Sequence, residues 1–396
     1  IMDENMASAL QKTIVNTTHG ISFGVDPNTY QDRRLTWTPA GFRMVASFLQ
    51  SSKIRALRMN LPSFLSSDEA AQKGFTKLVS SGQLQKLGFR NYTATRAPEP
   101  ALVGDVLLRL LETMQFASQP ANEIMPLSFG NHSATTTSLS LEGFQYSDCL
   151  AFSSFLANPN MPEHLILEYT MLEMDQWQPV IDEDATPTCL QVVELRLAAM
   201  PHRDVLVGLL GQLCSAPALT KVALQVQIYP TNMQSPVCNL SNELLQLLRA
   251  RNLCQLTLGE SFPIDLDLFK AILMDNQLTR CDIVCAALSD TELKELANLF
   301  DSHNTALLDL NFCVRDWPGF WQTDHYSRFQ YLTKLNSLGR GRLRDIDGTR
   351  QHLLTSLGEV EAQIDHITYV TYTLSLVYGL LLERPSLWSV ETLPDK

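Results

Sequence analysis

The chain has 396 residues, 45% apolar and 18% charged, which places it among folded proteins, since disorder goes with low hydrophobicity and high net charge. A formal charge of −12 argues against nucleic acid and anionic membranes as partners, because most of the surface would repel phosphate. Eight cysteines are too sparse for a disulfide framework and favour a reducing compartment, cytoplasmic or nuclear, while four sequons at Asn16, Asn91, Asn131 and Asn239 leave secretion open.

Residues 1 to 20 carry Asp3 and Glu4 and lack the apolar core of a signal peptide. The chain opens at Ile1, which leaves room for an upstream segment. ALQKTIVN (9–16) and RRLTWTPAGFRMVASFLQ (33–50) read as an N-terminal cap with one degenerate repeat, filling residues 1–50.

From residue 51 one motif recurs: an apolar residue, two variable residues, an apolar residue, one variable residue and a third apolar residue. The apolar positions are slots one, four and six. The copies are Ile54/Leu57/Met59, Leu84/Leu87/Phe89, Ile124/Leu127/Phe129, Leu139/Leu141, Leu165/Leu167, Val192/Leu195/Leu197, Leu219/Val222/Leu224, Leu253/Leu256/Leu258, Leu278/Cys281/Ile283 and, with Thr first, Thr305/Leu308/Leu310. Stretches of helical period stand between them at 100–116, 147–159, 241–252, 265–277 and 289–300, the last opened by a capping box of Ser289 and Glu292. Each unit therefore reads strand, turn, helix. A strand alternates its side chains, so slots four and six point inward and slots three, five and seven outward. One unit cannot cover its own leucines; a stack of them can. Such a stack forms a parallel sheet backed by helices, and because helices are wider than strands the sheet takes the concave side of an arc.

Over about residues 51–311 this pattern resembles the leucine-rich-repeat superfamily, and within it the ribonuclease-inhibitor-like branch with its long, helix-backed repeats. The resemblance implies an α/β solenoid, a horseshoe with concave parallel β-sheet and convex α-helices, capped at both ends. It also implies a non-enzymatic protein-binding or scaffold role. Two features depart from the family: the Asn or Cys that closes the repeat's turn is mostly absent, and the 12-residue step from Leu127 to Leu139 is too short for a helix. Two strands joined by the hydroxyl-rich loop NHSATTT (131–137) are expected there.

Residues 312–396 read as a C-terminal helical cap, in which LTKLNSLGRGRL (332–343) and YGLLLERPSLW (378–388) resemble the closing module of a group of uncharacterised leucine-rich-repeat proteins. DWPGFWQTDHYSRF (316–329) reads as an aromatic plug and GRGRLR (339–344) as a solvated loop. HITYVTYTLSLVYGLLL (366–382) is too short and too rich in Thr and Tyr for a bilayer, and reads as a helix covered on several sides.

The outward slots supply the candidate binding residues on the concave face. Arg58, Lys86 and Arg90 make its start basic; Glu142, Glu168 and Glu194, with His164 and Arg196, make its middle acidic; Arg280, Asp282 and Asp309 follow. Such a strip would select a protein partner of complementary charge. His164, Glu168 and Glu194 suggest a metal or acid–base trio, but an open sheet lacks the enclosure that shifts pKa values. No nucleophile elbow, P-loop or dinucleotide fingerprint is recognised, so no catalytic residue, metal or cofactor is expected, and the protein is expected to be a monomer. Two alternatives use the same arc: a helper similar to the Ran GTPase-activating proteins, and a ubiquitin-ligase substrate receptor, whose adaptor-binding helix is not apparent in residues 1–50.

Overall fold

The alternation of apolar and polar residues yields parallel strands laid side by side, several of them followed by a helix. A computed structural model describes residues 1–17, 19–23, 36–79, 84–90, 107–108, 111, 137–158, 162–178, 190–226, 237–345, 349–364 and 370–387. The chain divides into two units, Ile1–Pro236 and Val237–Lys396.

In the first unit the described strands are β1 (Gly20–Phe23), β2 (Ala56–Asn60), β3 (Lys86–Arg90), β4 (Ser138–Glu142), β5 (Gln145–Tyr146), β6 (His164–Leu172), β7 (Val192–Leu197) and β8 (Lys221–Val226). The helices are α1 (Glu4–Asn16), α2 (Pro39–Gln50), α3 (Glu69–Val79), α4 (Cys149–Leu156) and α5 (Arg203–Leu213). All the described strand pairs are parallel, in the order β1-β2-β3-β4-β6-β7-β8. Beyond a register shift between Glu168 and Thr170, where Tyr169 adopts φ 51°, the far end of β6 pairs with β5.

Two lateral rows carry the core. Leu57, Leu87, Leu139, Leu165, Val193 and Val222 are successive partners, and so are Met59, Phe89, Leu141, Leu167, Leu195 and Leu224. None exceeds 2% exposure, so each contributes roughly 2 kcal/mol of burial. Hydrogen bonds just before the strands hold this alignment. The Arg55 carbonyl accepts the N–H groups of Gln85 (2.7 Å) and Lys86 (3.0 Å), and the carbonyls of Gln85, Glu163 and Gln191 each accept a corresponding pair. The Thr137 and Thr220 hydroxyls donate to the Gln85 and Gln191 carbonyls as well, both at 3.2 Å.

The second unit contains α6 (Ser241–Ala250), β9 (Gln255–Leu258), α7 (Leu266–Met274), β10 (Arg280–Cys285), α8 (Asp290–His303) and β11 (Asp309–Val314), then α9 (Asp324–Ser337), α10 (Arg340–Arg344), α11 (Arg350–Ile364) and α12 (Val370–Glu383). Its three strands are parallel, with β10 between β9 and β11. The Thr279 hydroxyl donates to the Cys254 carbonyl at 3.0 Å, repeating the device of the first unit. The capping box forms: the Ser289 N–H donates to Glu292 at 2.7 Å, and the Glu292 N–H to the Ser289 hydroxyl at 3.3 Å.

Several expectations require correction. Val193 and Leu195, not Leu195 and Leu197, occupy slots four and six of β7, with Leu190 in slot one. Leu310 and Phe312, not Leu308 and Leu310, occupy those slots in β11, with Leu307 in slot one. Leu308 is 48% exposed and Leu307 is buried. A slip of two residues leaves every side chain within the strand on its own face, so alternation alone does not detect it, although it exchanges the two leucines just before β11. The copy at Ile124/Leu127/Phe129 and loop residues 131–136 lie outside the described residues, and β3 pairs directly with β4.

GRGRLR is not a solvated loop. Arg340 has no exposed surface; its Nε donates to Glu383 Oε1 at 2.7 Å, and its Nη2 donates to the Asp301 carbonyl at 2.5 Å and to the Asp301 carboxylate. Arg344 also donates to the Asp301 carbonyl at 2.5 Å and pairs with Glu383. Both guanidinium groups sit at the C-terminal end of α8, where free carbonyls favour cations. In the aromatic segment Phe320 and Phe329 close on Phe312, with centroids 5.1 and 4.9 Å away, while Trp321 is 59% exposed. Helix α12 buries Leu376 and Leu380 against Leu335, Leu338, Leu343, Leu353 and Val360, yet Leu374, Tyr378 and Leu382 face solvent, so it is not covered all round. Among the described residues no helix is long and apolar enough to cross a membrane.

Candidate functional site

Slots three, five and seven lie on the sheet face opposite slots four and six. In the first unit, slot seven runs Arg90, Glu142, Glu168, Arg196 across β3, β4, β6 and β7. The two glutamates are lateral neighbours about 4.8 Å apart by strand spacing, and each is neutralised from its outer side. Glu142 meets Arg90 at 2.6 Å and Arg58 at 2.8 Å. Glu168 meets Arg196 at 2.5 Å; a second Arg196 nitrogen lies 3.3 Å from Glu194, which also accepts the Lys221 ammonium at 2.6 Å.

Burial separates these contacts in kind. The Arg90 and Glu142 side chains are 7% and 10% exposed, so their contact is made away from water, where losing a partner costs most. Arg58 and Arg196, at 42% and 39%, are open to water, and pairs of this sort are worth at most about 1 kcal/mol. Arg58 reaches Glu142 from two strands away because β3 presents Gly88 at slot five. A Cβ on Gly88 would stand 3.1 Å from Arg58 Cγ, so the missing side chain gives the arginine stem its path.

Lys86 and His164 take no part in these two clusters. Both lie exposed on slot three, in the row Ala56, Lys86, Ser138, His164, Val192, Lys221. His164 and Glu168 are four positions apart on one strand, about 13 Å, so the suspected trio is not assembled. Glu168 and Glu194 instead share Arg196. A shallow depression of about 480 Å³ lies over this face, floored by Gly20, Ala56, Gly88, Ser138, Ser140 and Ile166 and edged by Arg58, Lys86, Glu168, Glu194 and Arg196.

In the second unit the register sets Asp309 beside Arg280, with an ion pair of 3.1 Å, and Asn311 beside Asp282, whose carboxylate accepts the Asn311 amide at 3.1 Å. The Tyr326 hydroxyl lies 3.4 Å from Asn311 Oδ1. Burial raises the Asp282 carboxyl above its ordinary range, opposed by the Asn311 hydrogen bond and by Arg280. Tyr326 is raised by burial and by Asp282 and Asp309. Burial also pushes the Cys281 and Cys285 thiols upward, which makes them inert packing residues and not nucleophiles.

GISFG at 20–24 has the spacing of a nucleophile elbow, a match the sequence reading passed over. Ser22 sits inside β1 opposite Arg58, not at a strand-to-helix turn, so it lacks the geometry that exposes such a serine. Among the described residues no group of three or more His, Cys, Asp or Glu is placed to hold a metal ion. Lys221 and Gly88 were not singled out from sequence. Glycine inside a strand marks a close approach, and that signal was available at Gly88. No protein-family model matches the chain, and no curated protein matches it.

Proposed function

We propose that the chain is a non-enzymatic protein-binding module whose units are leucine-rich repeats of the ribonuclease-inhibitor-like kind, and that it engages its partner through the exposed face of the sheet. One observation carries this reading. The outward slots of β2 to β8 hold their charges in two fixed clusters, Arg58–Glu142–Arg90 and Glu168–Arg196–Glu194–Lys221, beside an open depression. Side chains already ordered by ion pairs lose little entropy on docking, and a wide shallow surface suits a protein better than a small molecule. A cytoplasmic or nuclear location belongs to the same reading, in keeping with only eight cysteines in 396 residues.

Site-specific photo-crosslinking in cells tests it. A benzophenone residue at His164 on the sheet face, or at the exposed Lys73 on α3, is irradiated and adducts are resolved by mass. The reading expects a discrete protein adduct from His164 and none from Lys73. Adducts from Lys73 alone, or from neither, would overturn it.

A further inference from the structure

We propose that the sheet face of the first unit receives an extended acidic segment of its partner, with carboxylates spaced three residues apart meeting Lys86 and His164. The proposal rests on the protein-binding reading and adds the chemistry of the ligand.

Read from sequence, Glu142, Glu168 and Glu194 make the middle of this face acidic. The structure pairs each of them with a cation. Glu142 is held between two arginines, and Glu168 and Glu194 are bridged by Arg196, with Lys221 on the outer side. Among the described residues of these strands the face carries five cations, Arg58, Lys86, Arg90, Arg196 and Lys221, against those three carboxylates, within a chain of net charge −12. A locally positive depression on an anionic molecule concentrates field lines and draws anionic groups to that spot. A basic segment would have to compete with the buried Arg90 for Glu142, or with both Arg196 and Lys221 for Glu194.

Spacing defines the segment further. Lys86 on β3 and His164 on β6 share slot three with one strand, β4, between them, and Lys221 on β8 lies two strands beyond His164. Two strand steps are about 9.6 Å. A chain crossing the strands in polyproline II form advances about 3.1 Å per residue and repeats its face every three residues, about 9.3 Å. Residues i and i+3 thus meet Lys86 and His164 in turn, and residue i+6 comes over Lys221, whose ammonium Glu194 already holds. Between Lys86 and His164 the floor is Gly88, Ser138 and Ser140, small enough for a backbone to approach, with hydroxyls to receive its polar groups.

Dye-labelled peptides of four Glu-Pro-Pro, Lys-Pro-Pro or Gln-Pro-Pro repeats, titrated with the full chain and followed by fluorescence anisotropy, test the proposal. The glutamate peptide is expected to bind at least about tenfold tighter than the other two, and to weaken as salt rises. Lys86→Glu should lower its affinity by a further factor of about ten, with Lys86→Gln intermediate, while Lys294→Glu on the exposed side of α8 leaves it unchanged. Circular dichroism confirms that the variants fold. Tighter binding of the lysine peptide, no binding of the glutamate peptide, or binding that Lys86→Glu does not alter would each overturn the proposal. A His164 crosslink obtained alongside such a result would leave the protein-binding reading standing; its absence would remove that reading as well.

Discussion

Arg340 and Glu383 meet in the interior of the second unit, where a guanidinium with no exposed surface donates from Nε to a carboxylate at 2.7 Å across 43 residues of sequence. With Asp301 as the further acceptor, this side chain ties the end of α8 to α10 and α12. Glu383 is itself only 11% exposed, so neither charge has water to fall back on.

Arg340→Ala is therefore expected to cost about 2–3 kcal/mol, because it removes charged hydrogen bonds from the buried Glu383 and leaves that carboxylate with Arg344 alone. Arg340→Lys should recover only part of this, since an ammonium lacks the planar fork that serves Glu383 and Asp301 together. Urea unfolding of the two variants measures both. A loss below about 1 kcal/mol for Arg340→Ala would mean that the cluster is incidental to the cap.

The first unit offers a matched comparison around Glu142. Glu142→Ala takes a counter-charge at 2.6 Å from Arg90, which is 7% exposed, and is expected to cost about 3 kcal/mol. Arg58→Ala removes a partner that is 42% exposed and leaves the Arg90 contact in place, so its cost should stay within about 1 kcal/mol. Equal costs in equilibrium unfolding would show that burial does not set the strength of these contacts.

The period of two was legible because it follows from one strand burying one face, and the leucine rows appear where alternation put them. Register was less legible. Val192, Val193, Leu195 and Leu197 are all apolar, and only the neighbouring strands decide which pair faces the rows of the core. Charge was the least legible. Arg58 neutralises Glu142 from 84 residues away, and Arg340 finds Asp301 and Glu383 at separations of 39 and 43, so local composition made an acidic strip of one and a solvated loop of the other. Cys254 follows the same logic: it lies within an apolar stretch, yet its position one residue before β9 turns it to solvent.

Two carboxylates should give pH effects of opposite sign. Asp282 is raised, so in the interval between its ordinary and its raised value the folded chain binds more protons than the unfolded one, and stability falls as pH rises through that interval. Asp282→Asn is expected to be more stable than the parent at about pH 7, with the advantage fading towards about pH 3. Glu292 is lowered by its hydrogen bonds to Ser289, so its contribution is full above the ordinary glutamate value and is lost as pH falls through the lowered one. Glu292→Gln should show a deficit near neutrality that closes in acid. Unfolding curves across this range that run parallel for parent and variants would contradict both assignments.

The register of β11 can be tested at two adjacent leucines. Motif matching with Thr305 in slot one buries Leu308 and turns Leu307 outward; the pairing of Cys281 with Leu310 and of Ile283 with Phe312 does the reverse. Leu307 has no exposed surface and Leu308 is 48% exposed. Leu307→Asp places an unpaired carboxylate among apolar side chains and is expected to cost more than about 4 kcal/mol, whereas Leu308→Asp should change stability by no more than about 0.5 kcal/mol. Because the residues are neighbours of the same type receiving the same substitution, differences in strand propensity and net charge cancel. What is left is the face on which each stands, and a reversed order of the two costs would shift the β11 register by two residues and remove Asp309 from beside Arg280.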